Sequence, residues 1–179
     1  MLMGDYARAD SFAGEALRLA RQLKKPKQEA ATLDLKGAIA RLSGDFPRAL
    51  EYHRLALDIS RQLKDTLGEA TARSNIAVAL DGQGHYKEAI DAYFSALRVL
   101  ETQHDTPFVA NTLLNISAVF QEQKNSDKGI EFALKALHLY EVTGDKQGMA
   151  RSLINVGNCY NNKKDYRTAQ VHLERAEAL

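Results

Sequence analysis

The chain has 179 residues; 45% are hydrophobic and 26% charged, and 24 basic side chains nearly balance 23 acidic ones. This composition is typical of soluble globular proteins, and a net charge of +1 gives no electrostatic footprint for nucleic acid or for an anionic membrane. The single cysteine, Cys159, excludes an internal disulfide and a cysteine-based zinc site. No apolar run approaches the roughly 20 residues that span a bilayer, and no signal peptide opens the chain. We therefore expect no nucleic-acid partner, no membrane insertion and a cytoplasmic location, with a soluble extracytoplasmic sensor segment as the alternative.

The sequence repeats itself at a spacing of forty residues. Three columns carry the repeat: Gly4, Gly44, Gly84, Lys124 and Lys164; Tyr6, Phe46, Tyr86, Ser126 and Tyr166; and Ala16, Ala56, Ala96, Ala136 and Ala176. A fixed period of this length is the signature of a stacked repeat protein. We predict one array over 1–179, with a partial repeat at 1–25, full repeats at 26–65, 66–105 and 106–145, and a truncated repeat at 146–179.

The apolar spacing between turn signals is helical throughout. Positions three, four and seven residues apart recur in each repeat, as at Leu113, Ile116, Ser117 and Phe120, and no sustained alternation of period two occurs. Each repeat is predicted to hold two helices, A and B; in the third repeat A spans about 69–82 and B about 86–103, with a left-handed residue at Gly84 between them. The fold class is all-α: about nine helices, beginning with a lone helix B near 5–22. Asp65, Asp105 and Asp145 stand where each following helix A begins and are expected to cap it.

The repeat resembles the tetratricopeptide repeat (TPR), whose usual unit has about 34 residues and the pattern W-x2-L-G-x2-Y, A-x3-F, P. The Gly of that pattern falls on Gly37, Ala77, Ser117 and Gly157, and its first Ala on Ala9, Ala49, Ala89, Gly129 and Ala169. The chain departs from the pattern in having no Trp, no closing Pro and six more residues per unit. A forty-residue period with Asn in helix A resembles Leu-Gly-Asn repeat adaptors, kinesin light chains and the TPR segments of bacterial sensor kinases and regulators. The resemblance implies an α-solenoid wound as a right-handed superhelix.

No spacing in the chain supports catalysis. The five histidines show no metal-ligand pattern such as HExxH, and the glycines of 81–84 match neither a P-loop nor GxGxxG. His53 is expected in or near the core, and Cys159 is expected to act as a small buried hydrophobe. We predict that the protein is not an enzyme and needs no cofactor and no metal.

Helix A presents a second set of residues, on the side opposite its core face. Asn75, Asn115 and Asn155 recur there forty residues apart, with Leu35 at the matching position of the second repeat. In a TPR stack this side lines the concave surface, so the resemblance implies a ladder of amides for an extended peptide backbone. Their neighbours complete the predicted groove: Ser74, Asn111, Leu114, Arg151, Ile154 and Asn158, together with Val78 and Ala118. The alternative is that these Asn side chains only bond adjacent A helices to each other.

We predict a non-catalytic scaffold that binds a peptide or protein segment in its concave groove, as a fragment of a larger adaptor or signalling protein. The main alternative is an oligomerising sensor module of a bacterial histidine kinase or transcriptional regulator; an enzyme is the remote one. The fourth repeat is expected to be the weakest, because Ser126, Gly129 and Lys124 replace an aromatic residue, the packing Ala and the turn Gly. Self-association is expected through uncapped ends, at Phe12, Leu17 and Leu19 or at Val171 and Leu173.

Overall fold

A computed structural model describes residues 2–100 and 105–179, with side chains from residue 5 onward. Within these ranges the chain forms nine helices and no strand, as predicted. They are α1 (Leu2–Gln22), α2 (Pro26–Leu42), α3 (Phe46–Gln62), α4 (Thr66–Gly82), α5 (Tyr86–Val99), α6 (Thr106–Glu122), α7 (Ser126–Thr143), α8 (Lys146–Asn162) and α9 (Tyr166–Glu177). The predicted end of helix B near residue 103 lies outside the described residues.

The helices fall into two compact units, Met1–Thr102 with α1 to α5 and Gln103–Leu179 with α6 to α9. Inside each unit every helix packs against the next one along the chain, as expected of neighbours joined by short turns. The A helices also contact each other, α2 with α4 in the first unit and α6 with α8 in the second. The predicted helix pairs are therefore present, with a second layer of contacts between A helices.

Each of the seven turns that the structure describes contains one residue with a left-handed φ. Gly44 and Gly84 in the first unit and Gly144 in the second have φ of 85°, 79° and 72°. Lysines take the same left-handed conformation at four other turns, namely Lys24, Lys64, Lys124 and Lys164, with φ between 52° and 63°. A non-Gly residue with positive φ is uncommon, yet the chain uses it here without lengthening the turn. Lys124 therefore occupies the place of the turn Gly with the same geometry.

Short oxygen-bearing side chains cap most of the helices. Asp65, Asp105 and Asp145 accept hydrogen bonds from the amides of Gly68, Phe108 and Gly148, which confirms the predicted caps of the A helices. Three B helices have the same arrangement, which the sequence reasoning had not identified: Asp45, Asn125 and Asp165 accept from Arg48, Lys128 and Thr168. Each cap satisfies an amide that has no partner inside the helix.

Small residues form the closest contacts inside each unit. The alanines of the forty-residue columns are fully buried at Ala49, Ala56, Ala89 and Ala96 in the first unit and at Ala136 in the second. Larger side chains fill the space around them, above all Leu33 and Tyr93 in one unit and Ile116, Tyr140 and Leu153 in the other. The core does not use the side of the A helices that faces away from the B helices. That side can make other contacts.

Candidate peptide-binding surface

The second unit presents the polar face of α6 and α8, which we call the α6–α8 surface. It comprises the exposed residues Asn111, Asn115, Arg151 and Ile154 and the partly buried residues Asn155 and Asn158. Asn115 is exposed and Asn155 is partly buried, and neither amide has a hydrogen-bond partner within the described residues. Ile154 is 43% exposed beside them. The surface thus offers unbonded amides next to apolar area.

Two residues of this surface, Asn111 and Arg151, form a hydrogen-bonded cluster with Tyr140. The hydroxyl of Tyr140 donates to Asn111 Oδ1 over 2.9 Å, and Arg151 Nη2 donates to the same oxygen over 3.0 Å. The guanidinium of Arg151 also lies over the Tyr140 ring, 5.8 Å from its centroid. Burial raises the pKa of Tyr140, and the charge of Arg151 opposes that shift. The phenol therefore stays protonated as a donor, and Arg151 is oriented by neutral groups.

Leu114 does not belong to the groove in which it was predicted. It is only 6% exposed and lies in a core cluster with Ala110, Ala136 and Tyr140. Met149 of α8 packs against this cluster. Because a neighbouring helix covers this edge of α6, Leu114 contributes to stability rather than to a binding surface.

In the first unit the matching polar residues bond to each other. Asp34 Oδ1 accepts from Asn75 Nδ2 over 3.3 Å and lies 2.7 Å from His53 Nδ1. The amide of Asn75 thus links α4 to α2. This is the alternative role considered for Asn75, Asn115 and Asn155, in which they bond adjacent A helices to each other. The hydroxyl oxygen of Ser74 is buried and has no partner among the described residues. Asn75 is therefore bonded within the fold and the Ser74 oxygen is buried, whereas Asn115 is exposed and unbonded.

His53 is buried, as predicted, and explains the glycine opposite it. A Cβ on Gly37 would lie 2.5 Å from the imidazole of His53. The glycine of α2 and the histidine of α3 therefore fit only as a pair. Sequence reasoning had placed His53 in the core but had not found its contact with Asp34.

An open cleft of about 470 Å³ lies between α2, the end of α3 and the start of α4. Asp34 lines it together with Ala31, Leu67 and Thr71, and a salt bridge of 3.1 Å between Lys27 and Asp65 stands at its edge. The sequence reasoning missed this cleft, although the exposed Leu67, the second residue of α4, was its signal. The first unit therefore offers a mainly apolar surface where the second offers amides.

Three other kinds of function would require a metal site, a reactive cysteine or a membrane-spanning helix. Among the described residues, no group of three or more His, Cys, Asp or Glu side chains is arranged to hold a metal ion. Cys159 is fully buried, as predicted, and burial raises the pKa of its thiol, so its reactive thiolate form is disfavoured. None of the described helices combines the length and hydropathy needed to cross a bilayer.

The residues predicted to drive self-association differ in exposure. On α1, Phe12 and Leu19 are 67% and 46% exposed, whereas Leu17 is buried. On α9, Val171 is exposed and Leu173 packs where a Cβ of Gly157 would be. Leu17 and Leu173 thus pack inside their units. Of the five predicted residues, Phe12, Leu19 and Val171 are exposed to another molecule.

A family model for the tetratricopeptide repeat matches residues 1–62, 28–102 and 108–179. The chain belongs to the tetratricopeptide repeat family. In this TPR chain the small residue at the family's Gly position in helix A contributes to helix packing in two ways. Gly37 and Gly157 make room for His53 and Leu173, while Ser117 donates to the carbonyl of Gly129 over 2.8 Å.

Solved structures with this TPR fold include three informative ones. BtubC (BKLC) from P. vanneervenii is 24% identical, with a TM-score of 0.83, covering 98% of this chain and 73% of its own. A putative kinesin light chain from Podosopora anserina with nearly identical TPR-like repeats is 12% identical, with a TM-score of 0.75, covering 99% and 88%. A Rap protein complexed with competence and sporulation factor is 15% identical, with a TM-score of 0.85, covering 97% of this chain and 49% of that one. No curated protein sequence matches the chain. At these identities the structures establish the shared fold.

Proposed function

We propose that this TPR chain is a non-catalytic scaffold that binds an extended segment of a partner protein along the α6–α8 surface. The observation that carries the proposal is that the side-chain amide of Asn115 is exposed and makes no hydrogen bond among the described residues. An asparagine amide both donates and accepts, so it matches the alternating N–H and C=O groups of a peptide backbone. Asn155, partly buried on α8 and also unbonded, is the second point of attachment.

The surroundings of the two amides suit an extended peptide. Ile154 is exposed beside Asn155, and Asn158 follows one turn later on α8. Apolar side chains of the peptide gain free energy by covering Ile154, at about 25 cal/mol per Å² of apolar area removed from water. A buried amide of the bound peptide then needs a partner, which the asparagines supply.

Neither amide is needed to hold the unit together. The contact between α6 and α8 is already bridged by Asn111 and Arg151, and Met149 of α8 packs against the core cluster that contains Leu114 of α6. Polar side chains that stabilise the fold are bonded, as Asn75 is to Asp34. The lack of such a bond at Asn115 and Asn155 favours a role in recognition.

The relatives support a binding role without naming a partner. The Rap protein of similar fold was solved in complex with competence and sporulation factor. That protein and this chain share the helix-pair architecture. Selection of peptides on the protein tests the proposal and defines the sequence of the partner segment.

Random twelve-residue peptides are displayed and selected on the wild-type protein, and the best binder is titrated by fluorescence polarisation. Replacing Asn115 and Asn155 by Ala should weaken binding about five-fold for each lost hydrogen bond, with little change in melting temperature. A matched control replaces His138 and Gln170, exposed polar residues of the B helices α7 and α9, and should bind as the wild type does. Equal binding by all three proteins would contradict the proposal, as would a large loss of stability in the Asn variant.

We further propose that copies of the chain associate through α1. Phe12, Ala16 and Leu19 are all exposed, and Ala16 and Leu19 follow Phe12 by four and seven residues on α1, which places the three on a common face. Leu23, one residue past the end of α1, is exposed as well. Such an apolar stripe gains free energy when a second copy covers it. This interaction uses a different surface from the peptide site.

A further inference from the structure

Arg151 on the α6–α8 surface is a cation with no anionic partner among the described residues. Four other arginines in the described part of the chain, namely Arg21, Arg61, Arg73 and Arg175, each pair with a glutamate. Arg151 instead makes its polar contacts with two neutral groups, Asn111 Oδ1 at 3.0 Å and the Tyr140 hydroxyl at 3.4 Å. Its charge is therefore not neutralised by any described carboxylate in contact with it.

Arg151 is nevertheless held in one orientation. The ring of Tyr140 lies beneath the guanidinium, and Tyr140 is itself fixed, because it is 1% exposed and lies where a Cβ of Gly148 would be. Asn111 is fixed in turn by donating to the carbonyl of Pro107 over 2.9 Å. An arginine that is already oriented loses less conformational entropy when it binds a ligand.

Donors remain on the oriented guanidinium. An arginine has five N–H groups, and both described acceptors meet Nη2. The N–H groups on Nε and Nη1 have no acceptor among the described residues, and the side chain is exposed. Hydrogen bonds from an arginine to a carboxylate are about twice as strong as those between neutral groups.

Arg151 lies about one helical turn from the two unbonded amides. It precedes Asn155 by one helical turn on α8, and Asn111, which it contacts, precedes Asn115 by one turn on α6. Residues one turn apart have Cβ atoms about 5–6 Å from each other. A peptide backbone held by Asn115 and Asn155 therefore passes within side-chain reach of Arg151.

We propose that Arg151 binds the side-chain carboxylate of an Asp or Glu in the bound segment, so that the partner is an acidic peptide. This inference rests on the proposed function, and it specifies the chemistry of the ligand. A side chain is favoured over a terminal carboxylate because a segment that spans both asparagines continues past Arg151.

The first test compares two selections from one random library, displayed with the peptide C-terminus fused and hence blocked. Wild-type protein should enrich Asp and Glu at one peptide position, and Arg151→Gln should lose that enrichment. Equal acid content in the two pools would overturn the proposal. Arg151→Lys, which keeps the charge, should retain part of the preference.

The second test is a double-mutant cycle with a selected peptide and its Glu→Gln counterpart. We expect the peptide substitution to weaken binding to wild-type protein about ten-fold and binding to Arg151→Gln less than about two-fold. Equal losses would contradict the proposal. If Arg151→Gln folds poorly, the two peptides are compared on wild-type protein alone. The affinity that the Glu→Gln peptide loses there must shrink as the salt concentration rises, because salt screens the interaction between charges.

Three further outcomes show which of the proposals fails. Should a free peptide C-terminus replace the internal acid without loss, Arg151 binds a terminal carboxylate and the side-chain assignment is wrong. Peptides that depend on Asn115 and Asn155 but show no coupling to Arg151 would contradict only this inference. If no selected peptide depends on the two asparagines, the proposed function itself fails.

Discussion

The sulfur of Cys159 occupies the place where a side chain on Gly129 would begin. A Cβ built on Gly129 would lie 2.7 Å from Cys159 Sγ, although the same column holds Ala in every other repeat. The glycine of α7 is thus matched to the cysteine of α8, and it is not a packing defect.

Gly129→Ala tests this match. In a helix Ala is favoured over Gly by about 1 kcal/mol, so a repeat-consensus argument expects stabilisation. We expect instead a loss of about 1–3 kcal/mol in the free energy of unfolding, because the methyl group overpacks the contact. Urea unfolding of Gly129→Ala, Cys159→Ala and the double variant measures it. The double variant should be more stable than the sum of the single effects predicts; a more stable Gly129→Ala would contradict the match.

The two kinds of asparagine should differ in their effect on stability. Asn75→Ala removes the hydrogen bond to Asp34, and we expect a loss of about 1–2 kcal/mol since the acceptor is a carboxylate. Asn115→Ala should stay within about ±0.5 kcal/mol. Thermal unfolding of both variants at neutral pH makes the comparison. Similar losses at both positions would mean that Asn115 is also part of the fold.

His172 should make the stability of the second unit depend on pH. Its ring stacks on Tyr160 with centroids 5.6 Å apart, and its buried Nδ1 has no partner among the described residues. Burial, with a smaller effect of Arg175, lowers the pKa of His172 in the folded protein. The folded state therefore prefers the neutral ring, so stability is present above the unfolded pKa of about 6.5 and falls as the pH decreases through it.

His172→Phe keeps an aromatic ring on Tyr160 and removes the proton. The decline in melting temperature between about pH 7.5 and pH 5 should become smaller. His172→Ala should flatten the decline equally but lower the melting temperature at every pH, because the stacked ring is lost. A slope unchanged in both variants would show that other groups carry the pH dependence.

The exposed stripe on α1 should make the mass of the protein depend on concentration. Replacing Phe12 by Glu and Leu19 by Lys puts charges on the stripe, and light scattering should then report a monomer at all concentrations. Val171→Lys on α9 is the control at an exposed apolar residue of another helix. A wild-type protein that stays monomeric at high concentration would contradict association through α1.

The sequence predicted the helices well because the repeat constrains them jointly. An alanine that recurs every forty residues marks a close helix contact in the three full repeats, where Ala56, Ala96 and Ala136 are all fully buried. The turns were predicted less completely. Lys24 and Lys64 adopt left-handed φ values, although nothing in their residue type favours that conformation.

The site was predicted only as far as one helix determines it. Periodicity correctly placed Asn115 and Ile154 on exposed positions of their own helices. Whether a neighbour covers such a position depends on how two helices are aligned, and this alignment buried Leu114 near Met149 and bonded Asn75 to Asp34. The spacing of forty between Asn111 and Arg151 was a usable signal for their contact, but the part of Tyr140 was not visible in the sequence.

The central claim is that Asn115 and Asn155 hold a peptide backbone on the α6–α8 surface. The most direct measurement is the NMR spectrum of the side-chain amides in nitrogen-15-labelled protein during titration with the selected peptide. We predict that the Asn115 and Asn155 side-chain resonances shift with the same Kd as the fluorescence titration, while the amides of Gln62 on α3 and Gln170 on α9 stay in place. Shifts confined to α1 or to the B helices, with the two asparagines unmoved, would contradict the account.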